Sequence, residues 1–545
     1  MKKIIYLLTA LALLTTGCYK DTSSTRFDPM GDILVSGIET EYRRITLLSN
    51  LTIEPTVGSS LSSENTDQFQ YLWTIYNARD RNATKDTLAQ TKNINLPITL
   101  DPAEYIIELR VTNHLGYSVF HTTTLFVETA FSNGWYFLKE TAQGHTELDF
   151  FGREDWTESG AWRITPDLLQ SRLGITMPNP PTSLGFFPQF EYVDATGERH
   201  RQPTLIAMAG RDLRTIRIDD VSMIHERHED LFFSETAPLN ASPVRAFQRF
   251  SVTADQGFGS ADIPVIFYNT GSVYTFSTIG KVGEPVTGTF GNIINVDPTR
   301  ANAVMLGNNW FGSHSFASFD TRNRRLAIVS NNGFSGDAVR FFNPENFTGT
   351  ISAVDIISAQ ARALHMGMSG WCVVEDGVQG SIENPLRRTA YKLNTGIDQW
   401  NLRDPIEEMH DITATNFRQA QVYGSNKVSS HEHILYGSID NRFYTYNTTT
   451  RSEARIDLPA IGSGEVITMI THRPGVHNPN NRNSPSAGFL FIATHHAGSN
   501  TYKVYMYGML AGAPTGDPVA IMSGTGKVVD MQYAGGVHST YSGVL

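Results

Sequence analysis

An all-β protein is what the sequence predicts, on three observations. Apolar and polar residues alternate at period two along much of the chain. Strand–turn–strand units recur between positions 135 and 489. The composition joins 11% aromatic residues and 45 glycines to only 18% charged residues. Alternation at period two sets one face of a strand on a core, and an aromatic-rich, glycine-punctuated chain suits sheets better than helices.

The elements follow in order. Lys2 and Lys3 precede an apolar stretch at 4–14, and the small pair Thr16 and Gly17 comes before Cys18. Residues 1–17 read as a signal peptide. The run 4–17 is 14 residues long, short of the roughly 20 that a membrane-spanning helix needs. Cleavage before a cysteine resembles the bacterial lipobox, in which the thiol takes a diacylglycerol and the new amino terminus a further acyl chain. Cys18 is therefore the expected lipidation site, although Thr15 stands where the strict pattern has an aliphatic residue. Several acyl chains, at about 0.8 kcal/mol per buried CH₂, hold a protein on a membrane. Residues 18–30 are polar and without period, and read as a flexible tether.

Loss of Lys2 and Lys3 with the signal peptide moves the formal net charge from −11 to −13. No basic stripe appears, which excludes nucleic acid as a partner and disfavours polyanionic ligands. The 528 residues that follow cleavage suggest two or more domains. Cys372 is then the one remaining thiol, so no intramolecular disulfide can form. Its apolar neighbours Trp371, Val373 and Val374 mark a buried strand position rather than a nucleophile.

Residues 31–129 carry short alternating strands. In QYLWTIYNA, Tyr71, Trp73 and Ile75 share one face and Leu72, Thr74 and Tyr76 the other. The segments 105–111 and 117–127 flank the turn Asn113-His114-Leu115-Gly116, a hairpin signal. About 100 residues of such strands around a central tryptophan describe an immunoglobulin-like sandwich without its disulfide. LTIEPTV, YLWTIYN, LPITLDPAEYIIELRVTN and the GW of FSNGWYFLKE resemble, in order and spacing, the PKD-like lipoproteins of Bacteroidota over residues 31–140. The resemblance implies a sandwich followed by a large region like a β-propeller. It also implies partners, a SusC-like transporter and a SusD-like lipoprotein. Asp21 after Lys20 resembles, in one acidic residue, the signal that sends such lipoproteins to the cell exterior.

Residues 134–545 support a propeller independently. Hairpin-like units begin near Trp135, Thr204, Pro264, Phe316, Trp371, His433 and Phe489, spaced 69, 60, 52, 55, 62 and 56 residues apart. Such a unit cannot bury both faces alone, so the units must stack about an axis. Seven blades are expected. The segment 527–533 lacks a partner of its own and is free to close the ring on the first blade.

Enzyme signatures are missing. HERHED at 225–230 brings its second histidine one residue too early for HExxH. HMGMSGW at 365–371 lacks the first glycine of a GxSxG elbow. No phosphate-binding GxxxxGK[ST] occurs. On a strand, His431 and His433 would point the same way and could meet His495 or His496 at a metal, but no acidic or cysteine ligand follows at ligand spacing. No catalytic residue, metal or cofactor is therefore assigned. The candidate ligand-binding residues are aromatic loops, Trp156 and Trp162 in REDWTESGAWRIT and Asn309, Trp310 and Phe311 in GNNWFGSHSF. Exposed rings stack on sugars and peptide side chains, and asparagine supplies paired donors and acceptors. The alternative for these rings is packing between blades. The expected function is that of a cell-surface outer-membrane lipoprotein, an accessory binding or interaction component of a SusCD-type glycan or peptide importer. A surface hydrolase with carboxylates at the propeller mouth is the alternative, since glycosidase carboxylates need only meet in space.

Overall fold

A computed structural model of the chain describes residues 31–61, 65–80, 84–152, 162–194, 196, 198–225, 228–232, 240–249, 263–269, 273–276, 290–293, 303–306, 315–320, 325–330, 338–341, 362–366, 370–378, 380–393, 406–426, 429–473 and 488–535. It divides these into two compact units, 31–42, Asn50–Pro97 and Glu104–Phe126 in one, Arg43–Ser49, Ile98–Ala103 and 127–535 in the other.

The N-terminal strands build a sandwich. One sheet runs Glu41–Ile45, Ser118–Glu128, Ala103–Thr112, Gln70–Asn77, Asp86–Ala89 across five strands. Two short pairs accompany it, Ile33–Ser36 with Thr56–Ser59 and Asn50–Ile53 with Ile94–Pro97. Trp73 and Ile75 are buried with Ile107, Leu109 and Val111, as the alternation requires. The Trp73 indole N–H, which would be costly to bury unbonded, donates to Thr91 O at 3.0 Å. The hairpin turn closes on Asn113, whose Oδ1 accepts from the Leu115 and Tyr117 N–H groups at 3.1 and 3.0 Å.

Among the described residues the second unit holds seven four-stranded antiparallel sheets. Sheet I is Lys527–Gly535, Asn133–Glu140, Thr146–Gly152 and Arg163–Thr165, in spatial order. Sheet II is Pro181–Val193, Arg199–Ala209, Asp212–Arg217 and Ser222–His225; sheet III is Pro243–Arg249, Ile263–Tyr268, Val273–Phe276 and Phe290–Ile293. Sheet IV is Ala303–Leu306, Ser315–Asp320, Arg325–Ser330 and Ala338–Phe341; sheet V is Arg362–Met366, Trp371–Asp376, Arg387–Leu393 and Ile406–Asp411. Sheet VI is Val422–Ser425, Ile434–Ile439, Arg442–Asn447 and Ser452–Ile456; sheet VII is Val466–Arg473, Phe489–His496, Thr501–Leu510 and Ala513–Thr525. The first strand of each sheet lies against the first strand of the next, and the succession returns from Val466–Arg473 through Lys527–Gly535 to Pro181–Val193. This is a β-propeller.

Sheet I shows why the strands read as unbroken apolar runs. Along Asn133–Glu140 every residue but the last is buried. Trp135 and Phe137 pack with Phe491, Tyr502 and Val504 of sheet VII. Their alternates Tyr136 and Leu138 pack with Leu184, Leu205 and Ile216 of sheet II. Period two thus sorts one strand's residues into two interblade cores, each large ring contributing about 1.5–3 kcal/mol on burial. The same kind of apolar seam joins sheets II and III, V and VI, and VI and VII.

Ring closure rests on the last strand. Lys527–Gly535 pairs along Asn133–Glu140, from Glu140↔Lys527 to Asn133↔Gly535. The chain reaches it through Gly526, at φ +97°, where a Cβ would stand 2.5 Å from Glu140 O. No other residue type fits that crossing without strain.

Candidate functional site

The densest polar arrangement lies at the seam of sheets I and VII. Lys139 and Asp149 interrupt apolar strands, and the register Phe137↔Asp149 and Lys139↔Glu147 brings them to one face. Lys139 Nζ lies 2.7 Å from Asp149 Oδ1 and 2.8 Å from Asp167 Oδ1, with the Lys139 and Asp149 side chains 1% and 2% exposed. Asp149 Oδ2 accepts from the Tyr502 hydroxyl at 2.6 Å. The Asp167 N–H donates to Asp149 Oδ1 at 2.9 Å, and Asp167 adopts φ +48° to do so. Burial pushes the Glu147 carboxyl up to about 7, against hydrogen bonds from the Leu148 and Leu169 N–H groups. Burial, then the Asp149 charge, drives the Tyr502 hydroxyl far above its ordinary range. The Lys139–Asp149 pair is buried and Asp167 reaches the surface at 48% exposure, and through the Tyr502 hydroxyl the cluster ties sheet I to sheet VII.

Other carboxylates, buried or half-buried, are likewise committed to cations and hydrogen-bond donors. Glu375 of sheet V takes Arg362 Nε on one oxygen at 2.7 Å and Arg388 Nε on the other at 2.8 Å. Burial would raise this carboxyl, yet the two guanidinium groups hold it below its ordinary value. Arg388 reaches across to sheet VI, donating to Ala420 O at 2.7 Å and to the Tyr423 hydroxyl at 2.9 Å. Glu465 accepts from Lys503 Nζ at 2.6 Å, the Thr494 hydroxyl at 2.6 Å and the Tyr505 hydroxyl at 2.8 Å. Asp530 Oδ2 accepts from the Leu184 N–H at 2.9 Å and joins sheet I to sheet II.

Among the described residues one group of three side chains has metal-ligand chemistry, Asp194, Glu198 and His200, with candidate atoms within 4.8 Å of one another. They close the hairpin between the first two strands of sheet II. Asp194 Oδ1 accepts from the Thr196 N–H at 2.8 Å, the Thr196 hydroxyl at 2.7 Å and the Glu198 N–H at 3.0 Å. His200 Nε2 meets Oδ2 at 2.7 Å. The Thr196 hydroxyl, then His200, holds the Asp194 carboxyl well below its usual range. Both carboxylate oxygens already serve the loop, and the arrangement is a hairpin clasp.

Of the residues expected to bind ligand, Trp162 is half-buried. It packs beside the core between sheets I and VII, its ring edge-on to Phe151 at 6.4 Å. Cys18, Trp156, Asn309, Trp310 and Phe311 lie outside the described residues. His431 ends a 3-10 turn, Ser429–His431, and His433 precedes the strand Ile434–Ile439. They therefore lie off the strand on which period two would have aligned them, with rings stacked 6.4 Å apart. His496 Nδ1 accepts from the Ser499 N–H at 3.2 Å. Of the HERHED pair, His225 Nδ1 faces the Thr215 hydroxyl at 3.0 Å and His228 Nε2 the Tyr268 hydroxyl at 2.7 Å. Cys372 is 1% exposed, and burial pushes its thiol up to about 12. Sequence reasoning missed the Lys139 cluster, although a lysine and an aspartate inside the apolar runs WYFLKE and ELDFF were its visible sign.

Sandwich strands followed by a ring of four-stranded sheets define a two-part, all-β protein of sandwich and propeller. The sequence carries a PKD-like domain: residues 18–181 match the PKD-like family, a span that continues past the sandwich through the strands Asn133–Glu140, Thr146–Gly152 and Arg163–Thr165 of sheet I. No curated protein matches the sequence. Solved structures with a similar course include a mutant of the Synechocystis protein ACO, at 8% identity and TM-score 0.38, covering 90% of this chain and 97% of that one. A 6-phosphogluconolactonase-like protein from Bacteroides uniformis is 9% identical with TM-score 0.32, covering 71% and 95%. The β-propeller domain of a Myceliophteria thermophila protein is 10% identical with TM-score 0.26, covering 52% and 73%. Likeness of this degree transfers no activity to this chain.

Proposed function

We propose that the protein is a cell-surface outer-membrane lipoprotein, held by acyl chains on Cys18, that serves a SusCD-type importer as an accessory binding or docking component. The observation that carries this reading is the order of parts in one chain. A basic and apolar run ends at Cys18, where the PKD-like match begins, and a polar tether, the sandwich and the propeller follow in that order. The commitment of the buried Glu375 and Asp149 and the half-buried Asp530 to seams, and of the buried Glu465 to partners within sheet VII, supports a scaffold that presents surface over one that turns over substrate. The glycan or peptide would meet the propeller, with the sandwich as spacer.

Affinity isolation of the tagged protein from detergent-solubilised outer membrane tests the proposal. Recovery of a stoichiometric SusC-like and SusD-like pair is the expected result. Recovery of the protein alone would overturn the importer assignment and turn attention to screening glycans and peptides against the propeller.

A further inference from the structure

Three aromatic side chains at the seam of sheets V and VI carry buried polar atoms that find no hydrogen-bond partner among the described residues. Trp371 opens the second strand of sheet V, His410 lies on its outermost strand, and Tyr446 comes from the third strand of sheet VI. Register places them. Val373 pairs with Ala390, and Ala390 with His410, so the small Ala390 sits between the tryptophan row and the histidine. The His410 ring lies 5.9 Å from Trp371 and 5.9 Å from Tyr446. Phe417 stacks on Tyr446 at 4.9 Å and closes the apolar side.

Exposure is 1% for Trp371, 7% for His410 and 0% for Tyr446. Trp371 Nε1, His410 Nε2 and the Tyr446 hydroxyl have no hydrogen-bond partner among the described residues. One such orphan costs about 1–3 kcal/mol, and native interiors rarely keep one without a reason. Three on adjoining rings point to a shared partner. Indole N–H only donates, a neutral imidazole nitrogen accepts or donates according to tautomer, and phenol does both. Burial, reinforced by the Arg451 charge, lowers the His410 value and keeps the ring neutral. A partner for this set must accept from Trp371, which an ammonium ion cannot do, and a group that both accepts and donates satisfies the set in either imidazole tautomer.

We infer that the seam of sheets V and VI is a binding site for one hydroxyl-type oxygen, gripped by Trp371 Nε1, His410 Nε2 and the Tyr446 hydroxyl. Two sources share this chemistry, an internal water molecule and the hydroxyl of a small polyol. Buried waters typically make about three hydrogen bonds, the number offered here.

Crystals of the full mature chain, solved at about 1.8 Å before and after soaking in glycerol, test the site. The expected result is a density peak about 2.7–3.2 Å from all three atoms. A discrete peak in both crystals assigns water; density that becomes continuous with a carbon chain only after soaking assigns the polyol. A chain atom from 367–369 or 394–405 filling the position overturns the inference, as does contact of the three rings with no peak between them. In Tyr446→Phe the peak should weaken or move toward Trp371 and His410, and an unchanged peak would remove Tyr446 from the site.

Discussion

The Tyr533 hydroxyl donates to Asn133 Oδ1 at 2.7 Å, across 400 residues of sequence. Asn133 in turn donates from Nδ2 to Glu128 Oε2 at 2.9 Å, and Glu128 Oε1 receives Arg43 at 2.9 Å. A line of hydrogen bonds therefore runs from the last strand of the propeller through its first to Glu128 and Arg43. Tyr533→Phe leaves the ring against Trp135, where the centroids lie 4.7 Å apart, and removes only the hydroxyl. The expected loss is about 1–3 kcal/mol, the cost of an unbonded buried acceptor, read from urea unfolding.

Lys139→Met strips the ammonium group from between Asp149 and Asp167. A buried carboxylate without its cation should destabilise by about 3–5 kcal/mol. Lys139→Met with Asp149→Asn should regain part of that in the same unfolding experiment, because the stranded charge is gone.

Glu147 has an ordinary carboxyl value of 4.5 and stands at about 7 in the folded chain. The folded state keeps its proton to higher pH than the unfolded state, so below about pH 4.5 the group is neutral in both and costs nothing. Between about 4.5 and 7 the unfolded chain alone ionises, and stability falls as pH rises. Asp219, pushed up to about 6 by burial and by Asp220, acts in the same direction. Glu147→Gln should match the parent at pH 4 and melt higher than the parent at pH 8, in thermal scans across that range.

Arg388 forks between Glu375 and sheet VI. Lysine keeps the charge and loses the planar fork. Arg388→Lys should therefore fail to restore the parent's stability, with a loss of about 1.5–3 kcal/mol. Hydrogen exchange should rise along Val422–Ser425 and Trp371–Asp376.

The proposed acyl anchor on Cys18 predicts that Cys18→Ser moves the protein from the membrane pellet to the soluble fraction in the native host and abolishes incorporation of labelled palmitate. Retention on the membrane would overturn the lipid anchor.

The central hairpins of the propeller were legible because their strands are buried on both faces and their turns are marked. GWYFLKETAQGHTELDFF falls on Asn133–Glu140 and Thr146–Gly152, and HILYGSIDNRFYTYN on Ile434–Ile439 and Arg442–Asn447. The flanking strands were harder to read. Ser452–Ile456 contains no buried residue, and Ile406–Asp411 buries only Ile406 and His410, so neither shows a clear period. The closing partner of 527–533 was legible from its lack of a neighbour, and pairs with Asn133–Glu140. The polar contents of the seams were not. Lys139, Asp149 and Tyr502 come from three strands spread over more than 350 residues, and nothing in local spacing joins them.

Closure by Lys527–Gly535 also sets a clock on biogenesis. Sheet I receives its innermost strand only after the residues between Glu140 and Lys527 have been made, and until then Asn133–Glu140 offers an open edge with Trp135 and Phe137 half covered. Bringing together ends separated by about 400 residues costs on the order of 5 kcal/mol in chain entropy, recovered in one step when the strand zips in. Before that step the polypeptide remains a substrate for chaperones and proteases, and a stop codon that removes even the last strand would leave every other sheet encoded and the circle unfinished.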